Sequence, residues 1–239
     1  MAMRWVAGLL VAAAPLVAGG FWNKKPFPEW SREQVLELLT RSPWAESEMV
    51  LFDFREAGPQ RPVTWKDLGV PGSGQGPVVS GGSPVGGIGV PKTKDKIEAQ
   101  INVRWSSALP VRQAAALTKF GRDGLGEPGA RELLEQRPKF YLLEISGVPA
   151  AVAYAGIPVM QTELYRNLRL ITGSGRSIAP ESVYITPKGA TLNIAIRFLK
   201  EPPITLKDKS LRIQIKYDLL KIKRKWNLKE MVYRGKLEL

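Results

Sequence analysis

The sequence predicts an α+β protein with an antiparallel β-sheet or sandwich in the C-terminal half, a few short helices, and a cleavable signal helix at the N-terminus. Three observations carry that prediction. Apolar and polar residues alternate over residues 97–105, 192–198 and 211–217, the period-2 pattern of half-buried strands. Helical periodicity is confined to short stretches that begin or end at Pro or Gly. A long apolar run, residues 5–18, follows Arg4 at the extreme N-terminus.

That run is shorter than the roughly 20 residues a membrane-spanning helix needs, and Pro15 interrupts it. Ala18 and Gly20 give the small-x-small pattern of a cut before Phe21, so residues 1–20 read as a signal peptide, with retention as an anchor the competing reading. Residues 21–30 read as extended because of Pro26 and Pro28. Ser31 and Gln34 then have the spacing of a capping box, which starts a helix. Trp30 and Val35 form its hydrophobic staple, Val35, Leu36, Leu38 and Leu39 its apolar stripe, and Pro43 stops it. Residues 47–54 read as a strand, and 21–68 as an N-terminal helix–strand segment. A flexible loop or linker is expected at 69–93, because residues 69–91 hold nine Gly and four Pro and no charged side chain.

The main α+β domain is placed at 94–239. Its first strand, 97–105, puts Ile97, Ala99, Ile101, Val103 and Trp105 on one face. Helices are expected over 110–120, with Gly121 as the stop, and over 128–136, ended by Pro138. A central strand over 140–145 follows, then a helix over 160–169 with Leu164 and Leu168 inward, and a strand over 182–186. The last two long strands form a hairpin. Leu211, Ile213, Ile215 and Tyr217 share one side with Leu220, Ile222 and Trp226 across a turn at Asp218 and Leu219. Arg212, Lys216, Lys221, Lys223 and Lys225 project to the other side.

Composition removes whole classes of chemistry. The 239 residues include no His and no Cys, so there is no His-dependent triad, thiol nucleophile, disulfide or zinc site of nitrogen and sulfur ligands. A formal charge of +13 favours anionic partners, and +7 of it lies in residues 200–239. Gly124-Leu125-Gly126-Glu127-Pro128-Gly129 spells GxGxxG, but a helix precedes it and no βαβ unit surrounds it, so it reads as a helix–helix loop rather than a dinucleotide site. Asp53, Glu98 and Glu144 lie on expected strands and are the carboxylates best able to act as a glycosidase pair, if any two converge. Trp22, Trp30, Trp44 and Trp65 permit a carbohydrate platform, although packing is the simpler use of large aromatics. Strand lysines, for their part, also keep sheet edges from pairing with other chains.

Residues 29–31 (EWS), 42–45 (SPWA), 104–110 (RWSSALP) and 228–239 (LKEMVYRGKLEL) resemble an uncharacterised family of exported acidobacterial proteins, some of whose relatives carry a GWxTD-domain label. This chain has no GWxTD sequence, so that label does not transfer. The resemblance covers most of the mature chain in short blocks. It implies export and a shared fold, and brings no activity with it.

These readings predict a periplasmic or secreted, non-enzymatic envelope protein. It would bind an anionic envelope polymer or another envelope protein through Arg212, Lys216, Lys221, Lys223 and Lys225. No cofactor or metal is expected, nor any membrane span once the signal is removed. Specific nucleic-acid recognition is not expected either, since Tyr217 and Trp226 lie on the apolar side of the hairpin, away from the cations. Two alternatives stay open: a His-free polysaccharide hydrolase using two strand carboxylates, and a structural interaction protein with an apolar contact surface.

Overall fold

A computed structural model of the chain describes residues 20–54 and 96–239. Residues 1–19 of the expected signal, Trp65 and the whole Gly/Pro-rich stretch over 69–93 lie outside the described residues. The described chain begins with helix α1 (Phe21–Lys24), a 3-10 turn (Phe27–Glu29) and α2 (Arg32–Thr40), followed by strands β1 (Arg41–Ser42) and β2 (Ala45–Asp53). It resumes with β3 (Lys96–Trp105), α3 (Leu109–Phe120), α4 (Pro128–Glu135), β4 (Phe140–Pro149) and α5 (Ile157–Asn167). It ends in strands: β5 (Leu170–Thr172), β6 (Ser177–Ile178), β7 (Ser182–Lys188), β8 (Thr191–Leu199), β9 (Ser210–Tyr217), β10 (Leu220–Asn227), β11 (Val232–Tyr233) and β12 (Lys236–Leu237). This is a mixed α+β fold in which every strand pairing among the described residues is antiparallel.

Helix α2 starts as its residues dictate. Ser31 Oγ accepts from Gln34 N, and Gln34 Oε1 accepts from Ser31 N, closing the capping box. The expected stripe is narrower, however: Val35 and Leu38 are buried, Leu39 is half-buried, and Leu36 is 62% exposed. The segment before it is not simply extended either. Phe21–Lys24 coils into one helical turn and Phe27–Glu29 into another, with Pro26 and Pro28 at the start of the second, where proline is tolerated, and with Phe21, Phe27, Trp22 and Trp30 packed edge-on against one another. The GxGxxG segment is the helix–helix connection between α3 and α4, where a Cβ at Gly124 or Gly129 would press on Phe120.

Six strands form one sheet in the order β1-β2-β3-β4-β8-β7, and four form another in the order β10-β9-β5-β6. The larger sheet is not confined to the C-terminal half, since β2 pairs along its full length with β3. Period-2 alternation decides its faces. Ile101, Val103 and Trp105 stand beside Leu143 and Ile145 of β4, which stand beside Ile196 and Ile194 of β8, and all seven are essentially inaccessible. The smaller sheet meets this layer with Leu211, Ile213, Ile215, Leu220, Ile222 and Trp226. Trp105 and Trp226 touch edge to face with ring centroids 5.1 Å apart, joining the two sheets. A bulge in β4 between Ile145 and Val148 is fixed by Gly147, whose φ of 86° and closeness to the Gln100 carbonyl oxygen leave no room for a Cβ.

The N-terminal segment is clasped by the C-terminal tail. Trp44 Nε1 donates to Glu238 O at 2.8 Å, and Asn23 bonds both Val232 O and Arg234 N. Trp22, Trp30 and Trp44 are buried in this clasp, so the aromatics serve packing and offer no carbohydrate platform there.

Candidate functional site

The candidate site is the outer face of the four-stranded sheet. In the β9–β10 hairpin Lys216 stands opposite Lys221, Gln214 opposite Lys223 and Arg212 opposite Lys225, and all six are exposed. Alternation therefore gathers all five expected cations on one face. Asp218, at the two-residue turn, takes a φ of 45°, a left-handed conformation that Asp tolerates. Beside Arg212 on the same face comes Ile171 of β5, and beside that Ser177 of β6. No carboxylate interrupts the paired positions of this face. Among the described residues acids stand at its margins: Asp218 at the tip, Glu163 of α5, which accepts from Asn167 Nδ2, and Glu230 bonded to Asn227 at the other end.

Cross-strand like charges directly opposite each other are destabilising, by up to about 1 kcal/mol per pair. The hairpin holds two such pairs, Lys216 with Lys221 and Arg212 with Lys225. Edge protection accounts for lysines on β10, which is an edge strand. It does not account for Arg212, on a strand paired on both sides there.

A cleft of about 730 Å³ opens where the end of α5 meets this face. It is lined by Leu164, Asn167, Leu168, Arg169 and Ile171, by β9 from Arg212 to Lys216, and by β10 from Lys223 to Lys225, so that Arg212, Gln214, Lys216, Lys223 and Lys225 of the outer face border it. Lys221 lies outside it. Arg169 is a residue that sequence reasoning missed. The expected helix over 160–169 ends at Asn167, with Leu168 already extended, and the Arg169 side chain folds back so that Nη1 donates to Arg166 O and Leu168 O. These bonds answer the unsatisfied carbonyls of the helix end and hold the guanidinium at the cleft. No local pattern pointed to it, because only the pairing of β5 with β9 carries Arg169 to the basic face.

Arg224 takes the opposite role. It lies on the inner face of β10, with its side chain 10% exposed, and reaches β2, where Nε stands 3.1 Å from Glu46 Oε2 and Nη2 pairs with Glu48. Neither nitrogen has an in-line hydrogen-bond acceptor, so the attraction is coulombic rather than directional. At the tip, burial foremost, and then Tyr154, Asp218 and Glu163, push the Tyr217 hydroxyl up to about 12, so it stays neutral.

The three strand carboxylates do not form one group: Asp53 and Glu98 are diagonal neighbours on the outer face of β2 and β3, and Glu144 stands apart from them. Glu144 stands opposite Arg104, whose Nη2 is 2.8 Å from its Oε2, and accepts from Ser106 Oγ. Glu98 stands opposite Leu51, six positions from Arg104 along β3, and Asp53 pairs with Lys96 at 3.4 Å. Among the described residues no group of three or more Asp and Glu could hold a metal ion, and no helix is long and apolar enough to cross a membrane. Large apolar side chains are exposed on the outer face of β2, with Met49 at 58% and Leu51 at 59%. No protein-family model, curated protein or solved structure matches this chain, so the site is read from its own residues.

Proposed function

We propose that this protein is an exported, non-enzymatic module of the cell envelope that binds an anionic envelope polymer on the outer face of its four-stranded sheet. The observation that carries the reading is the register of the β9–β10 hairpin, which aligns Arg212, Lys216, Lys221, Lys223 and Lys225 on one exposed face without an intervening acid. Such a face draws a polyanion by releasing its counterions, an attraction that weakens steeply with salt. Binding also relieves the repulsion that the two like-charge pairs build into the free protein.

Retention on a heparin column tests the reading. The wild type is expected to bind at low ionic strength and to elute as salt rises. The triple variant Lys221→Glu, Lys223→Glu, Lys225→Glu is expected to flow through while keeping its thermal unfolding transition. Retention of that folded variant at the wild-type salt concentration would overturn the assignment of the face.

A further inference from the structure

Resting on that reading, we infer that the cleft between α5 and the hairpin is a specific pocket for a compact, multiply phosphorylated unit of the polymer, and that the hairpin face outside it only guides the chain. Cations converge on the cleft from three parts of the fold: Arg169 from the α5–β5 corner, Arg212 and Lys216 from β9, and Lys223 and Lys225 from β10. Arg224 also borders it, but Glu46 and Glu48 already compensate that charge. Five positive charges therefore face one concavity, whose lining contains no carboxylate, although Glu163, held by Asn167, stands at its margin.

Two features of the cleft narrow the ligand. Its size, about 730 Å³, falls in the range of small-molecule sites, so it suits a discrete group better than the flat passage of a long chain. Balancing five cations inside that space takes a dense anion. A carboxylate brings one negative charge, whereas a phosphate monoester brings about 1.5 to 2 near neutral pH, so three phosphates match where five carboxylates would be needed. The lining also contains no aromatic ring. Without a stacking surface, the site has nothing to grip a nucleobase or the flat face of a sugar, and recognition falls on the phosphates themselves. Arg169 and Arg212 supply planar forks suited to phosphate oxygens, the lysines supply mobile point charges, and Gln214 adds a neutral amide, while Asn167 already donates to Glu163. Arg169 is held in advance by its two bonds to the end of α5, so less side-chain freedom is lost on binding.

Inorganic tripolyphosphate, as a compact probe, and heparin, as a long one, separate the cleft from the face. Calorimetric titration of the full chain with tripolyphosphate is expected to show saturable binding of one ligand per protein. Arg169→Gln and Lys223→Gln should each weaken it about tenfold, the loss of one charge-assisted contact. Lys221→Gln, outside the cleft, should change it less than about twofold while lowering the salt needed to elute the protein from heparin, since exposed charges outside a contact act weakly. Heparin retention without tripolyphosphate binding would overturn the pocket and leave the polymer-binding face standing. Equal loss of tripolyphosphate affinity in Lys221→Gln and Arg169→Gln would also overturn it, because that is the signature of diffuse charge. Loss of both ligands by the wild type would remove the face along with the pocket. Arg169→Lys is the folding-safe companion: it keeps the charge, loses the planar fork and the helix-end bonds, and is expected to bind tripolyphosphate more weakly than wild type but more tightly than Arg169→Gln.

Discussion

The outer faces of the two sheets both meet solvent and both carry charge, yet they handle it in opposite ways. On the six-stranded sheet three cations are answered locally: Lys96 by Asp53, Arg104 by Glu144, and Arg197 by the rings of Phe140 and Tyr184, 5.7 and 5.1 Å from its guanidinium carbon. On the four-stranded sheet Lys216 faces Lys221 and Arg212 faces Lys225, with no acid between them. The contrast runs through a single strand. Arg224 sits between Lys223 and Lys225 in sequence, but it points inward, and there it is compensated by Glu46 and Glu48. Where this fold needs a cation for its own cohesion, it supplies the counter-ion. Where the cations face outward on the hairpin, it leaves them for something else to balance.

The strongest test of that contrast is on the inward cation. Removing both partners, with Glu46→Gln and Glu48→Gln, strands a guanidinium in a largely dry site and is expected to cost about 2 kcal/mol, less than for a fully buried pair because the carboxylates are partly exposed. Arg224→Met removes the buried charge instead and should cost about 1 kcal/mol or less. Urea unfolding of the two variants measures the order, and the reverse order would mean that Arg224 contributes through its packing rather than its charge.

A smaller effect of opposite sign is expected on the outward face. Gln214→Glu places an acid directly opposite Lys223 and between Arg212 and Lys216 along β9, and should stabilise the fold by about 0.5 kcal/mol at low salt. The same change should lower the salt concentration that elutes the protein from heparin. A variant that is no more stable than wild type would show that the hairpin cations do not repel one another appreciably.

The smallest change is expected on the six-stranded sheet. Glu144→Gln breaks a pair with Arg104 in which both side chains are about a third exposed, so the loss should stay below about 1 kcal/mol and shrink with added salt. A loss well above that, measured by the same unfolding experiment, would promote the Arg104, Ser106 and Glu144 cluster from surface neutralisation to a structural part of the β3–β4 pairing.

Much of the architecture was legible along the chain, for a local reason. Side-chain alternation in a strand depends only on the strand itself, so Ile97 to Trp105 and the two arms of the hairpin could be assigned faces without knowing their neighbours. The capping box at Ser31 and the stop at Gly121 are likewise set by adjacent residues. Illegible were the features that depend on what lies across the fold. The short strands β5, β6, β11 and β12 exist because partners meet them, and three or fewer residues cannot display a period. The turns at Phe21–Lys24 and Phe27–Glu29 form against aromatic rings and the C-terminal tail. Leu36 fits the helical period as well as Val35 does, and only the placement of the other layers leaves it in solvent.

The candidate site divides along the same line. Sequence alone determined that Arg212, Lys216, Lys221, Lys223 and Lys225 would share a face, because successive side chains on a strand point to opposite sides and a two-residue turn preserves that parity. Only the tertiary structure decided that β5 would lie beside β9 and bring Arg169 to the same surface, and that Lys221 would stand outside the cleft the others line. It also decided that Arg224 would be answered by two glutamates of β2. Those outcomes rest on contacts between segments far apart in the chain, and such contacts follow from how whole layers pack rather than from any local run of residues.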